Sequence, residues 1–257
     1  MNTEQCSGLD TGALAASIVT GIAHEIAALP RRNTPSVRAV RQAWSRKLKL
    51  SDPLLVRAVA DALLDDHPLR WCAYELLAAH PGALASLATA DIVALGRGMA
   101  SWSDVDAFAR TLSGPAWVRG QVSDAEIARW AASSDRWWRR AALVSTVALN
   151  ERALGPNGDA PRTLAVCRLL LNDRDDMVVK AMSWALRSLA ERDPAAVRAF
   201  LSDTGDKLAS RARRETLHKL ETGLKSPRRS ARPSLPAGTP LAPVRCGPGQ
   251  RHSSSGR

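Results

Sequence analysis

The chain has little cysteine, few aromatic rings besides tryptophan, and no long apolar run. Its four cysteines, Cys6, Cys72, Cys167 and Cys246, are scattered and form no Cys-x-x-Cys or Cys/His spacing. That argues against a disulfide framework or a zinc site, and makes reduced thiols in a cytoplasmic protein the default. The five histidines show no metal spacing, so neither metal nor cofactor is expected. No apolar run approaches the ~20 residues needed to cross a bilayer. The opening, MNTEQCSGLD, lacks a basic stretch ahead of an apolar one, so no signal peptide is expected. Only Tyr74, Phe108 and Phe200 join the eight tryptophans. β-Branched runs are scarce and nothing alternates cleanly with period two, which argues against sheets.

What is present is alanine, leucine and arginine over 257 residues, enough for a sizeable core in one domain or two small ones. Such a composition favours helices. The formal charge of +11 points to a polyanionic partner, nucleic acid before an anionic membrane surface. Six arginines at 228, 229, 232, 245, 251 and 257 fall in residues 226–257, which contain no Asp or Glu. Without them the rest of the chain stands at +5, so what matters for a polyanionic partner is where the arginines sit.

Cap and turn signals divide the chain into recurring helices. Residues 10–30 read as the first, ending at Pro30. Asn33-Thr34-Pro35 gives a cap and an early proline for a second, from Ser36 to about Leu48. Ser51-Asp52-Pro53 opens a third to Leu64, His67-Pro68 a fourth over LRWCAYELLAAH, and Pro81 a fifth to about Met99. Ser101 or Ser103 starts a helix ending near Leu112, with Gly114-Pro115 as its break. Ser123-Asp124 and Ser134-Asp135 cap two more, and Gly155-Pro156-Asn157-Gly158 is a strong turn. Helices follow at about 160–171, 175–191, 194–203 and 207–223. Roughly a dozen helices in antiparallel pairs predict an all-α protein, an α-solenoid of HEAT-like antiparallel helix pairs with a concave basic face. The helical repeat domain is expected over 1–225. Residues 226–257, rich in Pro, Ser, Gly and Arg, read as a disordered basic tail.

Three segments carry unusual side chains. SWSDVDAFAR, residues 101–110, holds Trp102, Asp104 and Asp106 within five positions. SSDRWWRRAAL holds Arg136, Trp137, Trp138, Arg139 and Arg140, and KAMSWALR holds Lys180, Trp184 and Arg187. Trp102 and Asp106, four apart, share one face of a helix. Large rings, a carboxylate and clustered arginines suit a charged nucleotide better than a core.

With TPSVRAVRQAW near the start and RRETLHKL near the end, these segments resemble the DNA alkylation repair glycosylases built from HEAT-like repeats, the AlkD type, over roughly residues 34–223. Order and spacing together carry the resemblance more than any one segment. It implies excision of cationic alkylated purines such as 3-methyladenine and 7-methylguanine from duplex DNA, as part of base excision repair. It assigns the groove tryptophan to Trp102, the catalytic aspartate to Asp106, the groove arginine to Arg140 and the second groove tryptophan to Trp184. Many relatives carry a second Trp where this chain has Ser101. It also implies that the base need not enter a deep pocket. The protein would act as a monomer, without membrane or metal.

An alkylated purine is already a cationic leaving group, so one carboxylate can suffice, stabilising the developing positive sugar and orienting water. Asp106 is the candidate. Trp102 and Trp184 offer π-faces. Arg140, Arg139 and Arg136 would hold phosphate, with Trp138 as a further contact. Arg38, Arg41, Lys180, Arg187 and Arg214 would add non-specific affinity. Plainer readings exist for each. Asp106 could be an idle third helical residue capped by Ser103, and Asp104 a capping partner of Ser101. Arg140 could pair with a helix-terminal Asp. Trp44, Trp71, Trp117, Trp130 and Trp137 are assigned to packing, and single tryptophans are more often core. A non-catalytic nucleic-acid-binding helical protein and a protein–protein scaffold are the competing functions.

Overall fold

A computed structural model describes residues 3–65, 69–154 and 158–225, and these contain helices and no strand. The helices are α1 (Thr3–Ala27), α2 (Thr34–Lys47), α3 (Pro53–Leu64), α4 (Arg70–Ala79), α5 (Pro81–Ala85), α6 (Thr89–Gly96) and α7 (Trp102–Phe108). After them come α8 (Gly114–Val118), α9 (Asp124–Ala131), α10 (Arg136–Leu149), α11 (Ala160–Leu169), α12 (Asp176–Ala190), α13 (Pro194–Thr204) and α14 (Ser210–Thr222). Most start where a short acceptor side chain takes up an orphan N–H of the first turn. Asn33 Oδ1 accepts from Ser36 N at 3.0 Å, Asp52 from Leu54 N at 2.7 Å, and Asp159 from Arg162 N at 2.9 Å. Asp135, Asp175 and Asp193 cap α10, α12 and α13 in the same way.

The helices pack as a stack. α1 lies on α3, α3 on α4, α4 on α7, α7 on α10, α10 on α12 and α12 on α14. α2, α9, α11 and α13 pack against members of that row as a second layer. This is the pattern of a helical solenoid. Each row member buries a continuous apolar face: Ala141 to Leu149 on α10, and Val178 through Leu189 on α12. Beneath α7 an aromatic cluster joins Phe108 to Tyr74, Trp130 and Trp138 at ring separations of 5.5 to 5.9 Å. Arg70 is buried at 4 % exposure and binds the carbonyls of Leu64, Leu95 and Arg97, tying α4 to the ends of α3 and α6.

Three expectations change. α1 spans Thr3–Ala27 where 10–30 was expected. The helix expected from Pro81 to Met99 is two, α5 and α6. Gln121 Nε2 donates to the carbonyls of Leu84 and Leu87, both at 2.8 Å, and so bridges the end of α5 and the break after it. Gly114-Pro115 is not a break. A π-helical turn, Ala109–Ser113, carries α7 directly into α8. The wider turn accommodates a proline that lacks an N–H for the helical ladder. Gly114 is needed there for space, because a Cβ would meet Ala148 Cβ at 2.6 Å and Ser145 O at 2.8 Å. The fourth-helix signal His67-Pro68, most of the turn at 155–158 and the tail at 226–257 lie outside the described residues.

Candidate functional site

Successive members of the row begin at one edge of the stack. Arg136, the first residue of α10, reaches Asp175, the N-cap of α12, at 3.5 Å. Arg211, at the start of α14, reaches Asp176 of α12 at 3.2 Å. Asp106 of α7 meets Arg140 of α10, and Arg140 meets the Met177 carbonyl of α12 at 2.6 Å. The N-terminal turns of α7, α10, α12 and α14 therefore lie side by side.

α7 starts with a capping box. Ser101 Oγ accepts from Asp104 N at 3.2 Å, and Asp104 Oδ2 accepts from Ser101 N at 3.1 Å and Ala100 N at 3.2 Å. Asp104 is thus the capping residue, and Asp106 is not a cap. Trp102 occupies the first helical position and is 59 % exposed, the only large aromatic side chain so exposed among the described residues. Asp106 sits one turn on, its side chain 21 % exposed. Arg140 grips it from two sides: Nε and Nη2 donate to Oδ1 at 3.0 and 2.8 Å, and Nη2 donates to Oδ2 at 3.0 Å. The Arg140 side chain is 6 % exposed, and all three of its guanidinium nitrogens serve Asp106 and the Met177 carbonyl. Burial pushes the Asp106 carboxyl above its usual range, and the Arg140 charge and hydrogen bonds pull against that rise.

Trp184 lies two turns beyond Met177 on α12, ~10 Å along the axis. Half-buried, it lines an open cleft of about 450 Å³ with Arg110, Glu151, Arg152, Ser188 and Glu191. Arg110 follows Asp106 by one turn of the chain, and its side chain lines this cleft.

The other predicted residues are more scattered. Arg139 is held by Asp173 at 2.7 Å and by the carbonyls of Ser133 and Ser134. Lys180 pairs with Asp176 at 2.6 Å. Arg187 donates to Ser183 Oγ at 3.1 Å, and Arg214 is exposed. Arg38 and Arg41 both pair with Glu75, at 3.3 and 2.8 Å, tying α2 to α4. Trp138, expected as a DNA contact, is half-buried. Its ring packs on Phe108 and Trp130, and leaves no room for a Cβ at Gly96, 2.5 Å away. Adjacent residues of a helix point about 100° apart, and this one points inward. Arg110 and the Met177 carbonyl were missed. For Arg110 a signal existed, since Trp102, Asp106 and Arg110 repeat every four residues. Among the described residues no group of His, Cys, Asp and Glu could hold a metal ion, and no helix is long and apolar enough to cross a membrane.

An all-α stack with a buried Arg–Asp pair beside an exposed tryptophan defines a helical-repeat protein with a built polar site. A family profile described as DNA alkylation repair enzyme matches residues 32–220, a stretch that contains Trp102, Asp106, Arg140 and Trp184. The chain belongs to the DNA alkylation repair enzyme family, with the role in DNA repair and the interaction with DNA that this implies. No curated protein matches it.

Proposed function

We propose that this protein is a DNA glycosylase that hydrolyses the N-glycosidic bond of cationic alkylated purines, 3-methyladenine and 7-methylguanine, in duplex DNA. The observation that carries the reading is the two-point grip of Arg140 on Asp106, one helical turn from an exposed Trp102. A carboxylate so held, partly withdrawn from water, acts as a fixed negative charge where screening is weak.

The reaction asks little else. As the C1′–N bond breaks, its electron pair leaves with the purine and cancels the positive charge there. The sugar becomes the cation. Asp106 faces that charge and orients a water, whose oxygen bonds to C1′ while its proton passes to solvent. Trp102 presents its π-face to the cationic nucleotide, worth ~0.5–2 kcal/mol, and Trp184 does so from the adjoining cleft. Arg140 is a positioning residue. With its nitrogens committed, it holds the acid in place and ionised, and phosphate is left to more exposed cations such as Arg136. The protein is proposed to work as a cytoplasmic monomer.

The test is release of 3-methyladenine or 7-methylguanine from methylated duplex DNA, followed by chromatography of the freed base. We expect release at neutral pH without added metal. DNA binding with no base released would instead fit a helical protein that grips nucleic acid without cutting it.

A further inference from the structure

We propose that Arg110 is a ligand for a DNA backbone phosphate, that Glu151 holds it in reserve, and that the phosphate sits in the cleft beside Trp184. The inference rests on the glycosylase reading and adds a binding residue to it. A strand must be held across Asp106, and two guanidiniums of the α10 N-terminal turns are committed. Arg140 is spent on Asp106 and Met177, and Arg139 on Asp173, Ser133 and Ser134. Arg110 stands one turn from the acid, at the π-helical turn, with its side chain 55 % exposed. Its ion pair is with Glu151, Nε donating to Oε1 at 2.8 Å.

Three features favour exchange of that partner for a phosphate. The pair is exposed, and exposed pairs are weak because water screens them. Glu151 lies just past the C-terminus of α10, where a negative charge opposes the helix dipole, so the helix has no use for it. A phosphodiester offers a guanidinium a two-point, charge-assisted partner that competes well with one carboxylate oxygen. The surroundings match a sugar–phosphate segment: a second exposed guanidinium at Arg152, a hydroxyl at Ser188, and the indole of Trp184. The other acid of the cleft, Glu191, is neutralised by Lys219 at 2.6 Å.

The experiment measures the affinity of the full chain for unmethylated duplex DNA across a salt series. It uses Arg110→Ala, Glu151→Gln and the double variant, with thermal melts as the folding control. Arg110→Ala is expected to weaken binding about three- to tenfold and to lower the slope of log K against log salt by about one. Glu151→Gln is expected to tighten binding about twofold or more, by releasing Arg110, and to have no such effect in the Arg110→Ala background. A merely structural pair would make both single variants weaker binders with lowered melts, and that result overturns the proposal. So does an unchanged slope for Arg110→Ala, or a Glu151→Gln gain that survives without Arg110, which would mark a general charge effect. Base release from methylated DNA, measured alongside, keeps the two readings apart. An enzyme that releases base but fails these binding tests loses this inference and keeps the glycosylase assignment.

Discussion

At the scale of single residues, Asp106 and Arg140 act as a unit. Burial alone would drive the carboxyl toward its neutral form, and Arg140 opposes that. If the ionised form is the working one, activity falls as pH drops through a pKa above the ordinary aspartate value. In Arg140→Met the desolvation is unopposed, so the pKa rises further. The acid limb of the kcat/KM profile should therefore move to higher pH than in the wild type, together with a lower plateau. A limb that stays where it was would separate Arg140 from the acid. The four-residue spacing of Trp102 and Asp106 was legible in the sequence, because helical geometry fixes it. The Arg140–Asp106 contact was not, since its partners are 34 positions apart and any terminal Asp would have served. Trp138 was not legible for a related reason: of two adjacent rings, only packing decides which one seats on Phe108 and Trp130.

At the scale of elements, the start of α7 fixes where Trp102 points. The Ser101–Asp104 box satisfies the N–H groups on either side of it. Ser101→Ala should cost about 1 kcal/mol of stability, seen as a lower melting temperature. Base release should fall modestly, with the acid limb of the pH profile unmoved. A shifted limb would mean that Ser101 acts on Asp106 directly. Helix starts were the most readable part of the fold, because Asn33, Asp52, Ser101, Ser123 and Asp135 cap at the sites their side chains suggest. The α5–α6 break and the π-helical turn were not readable. One depends on a distant amide, Gln121, and the other on a hydrogen-bond shift that leaves no residue signature.

At the scale of the molecule, the stack places the beginnings of α7, α10, α12 and α14 along one edge and threads ion pairs between them. An all-α repeat architecture followed from composition and cap spacing, whereas this pairing did not. The sequence did not show where its cations sit, and Arg38, Arg41, Arg136, Arg139, Arg140 and Lys180 all face acids. Cations so held differ in what they give DNA. Arg139→Ala should lower the melting temperature and leave the salt slope of duplex binding unchanged. Arg214→Ala, on an exposed side chain, should lower the slope by about one and spare the melt. The reverse pattern would place the binding face elsewhere.

The proposed chemistry turns on one carboxylate, and single-turnover excision of 7-methylguanine by Asp106→Asn tests it most directly. The excision rate should fall at least tenfold, about 1.4 kcal/mol of transition-state stabilisation, while the Kd for the same duplex stays within about twofold. An undiminished rate in a folded Asp106→Asn variant would contradict the assignment of the chemistry to this site.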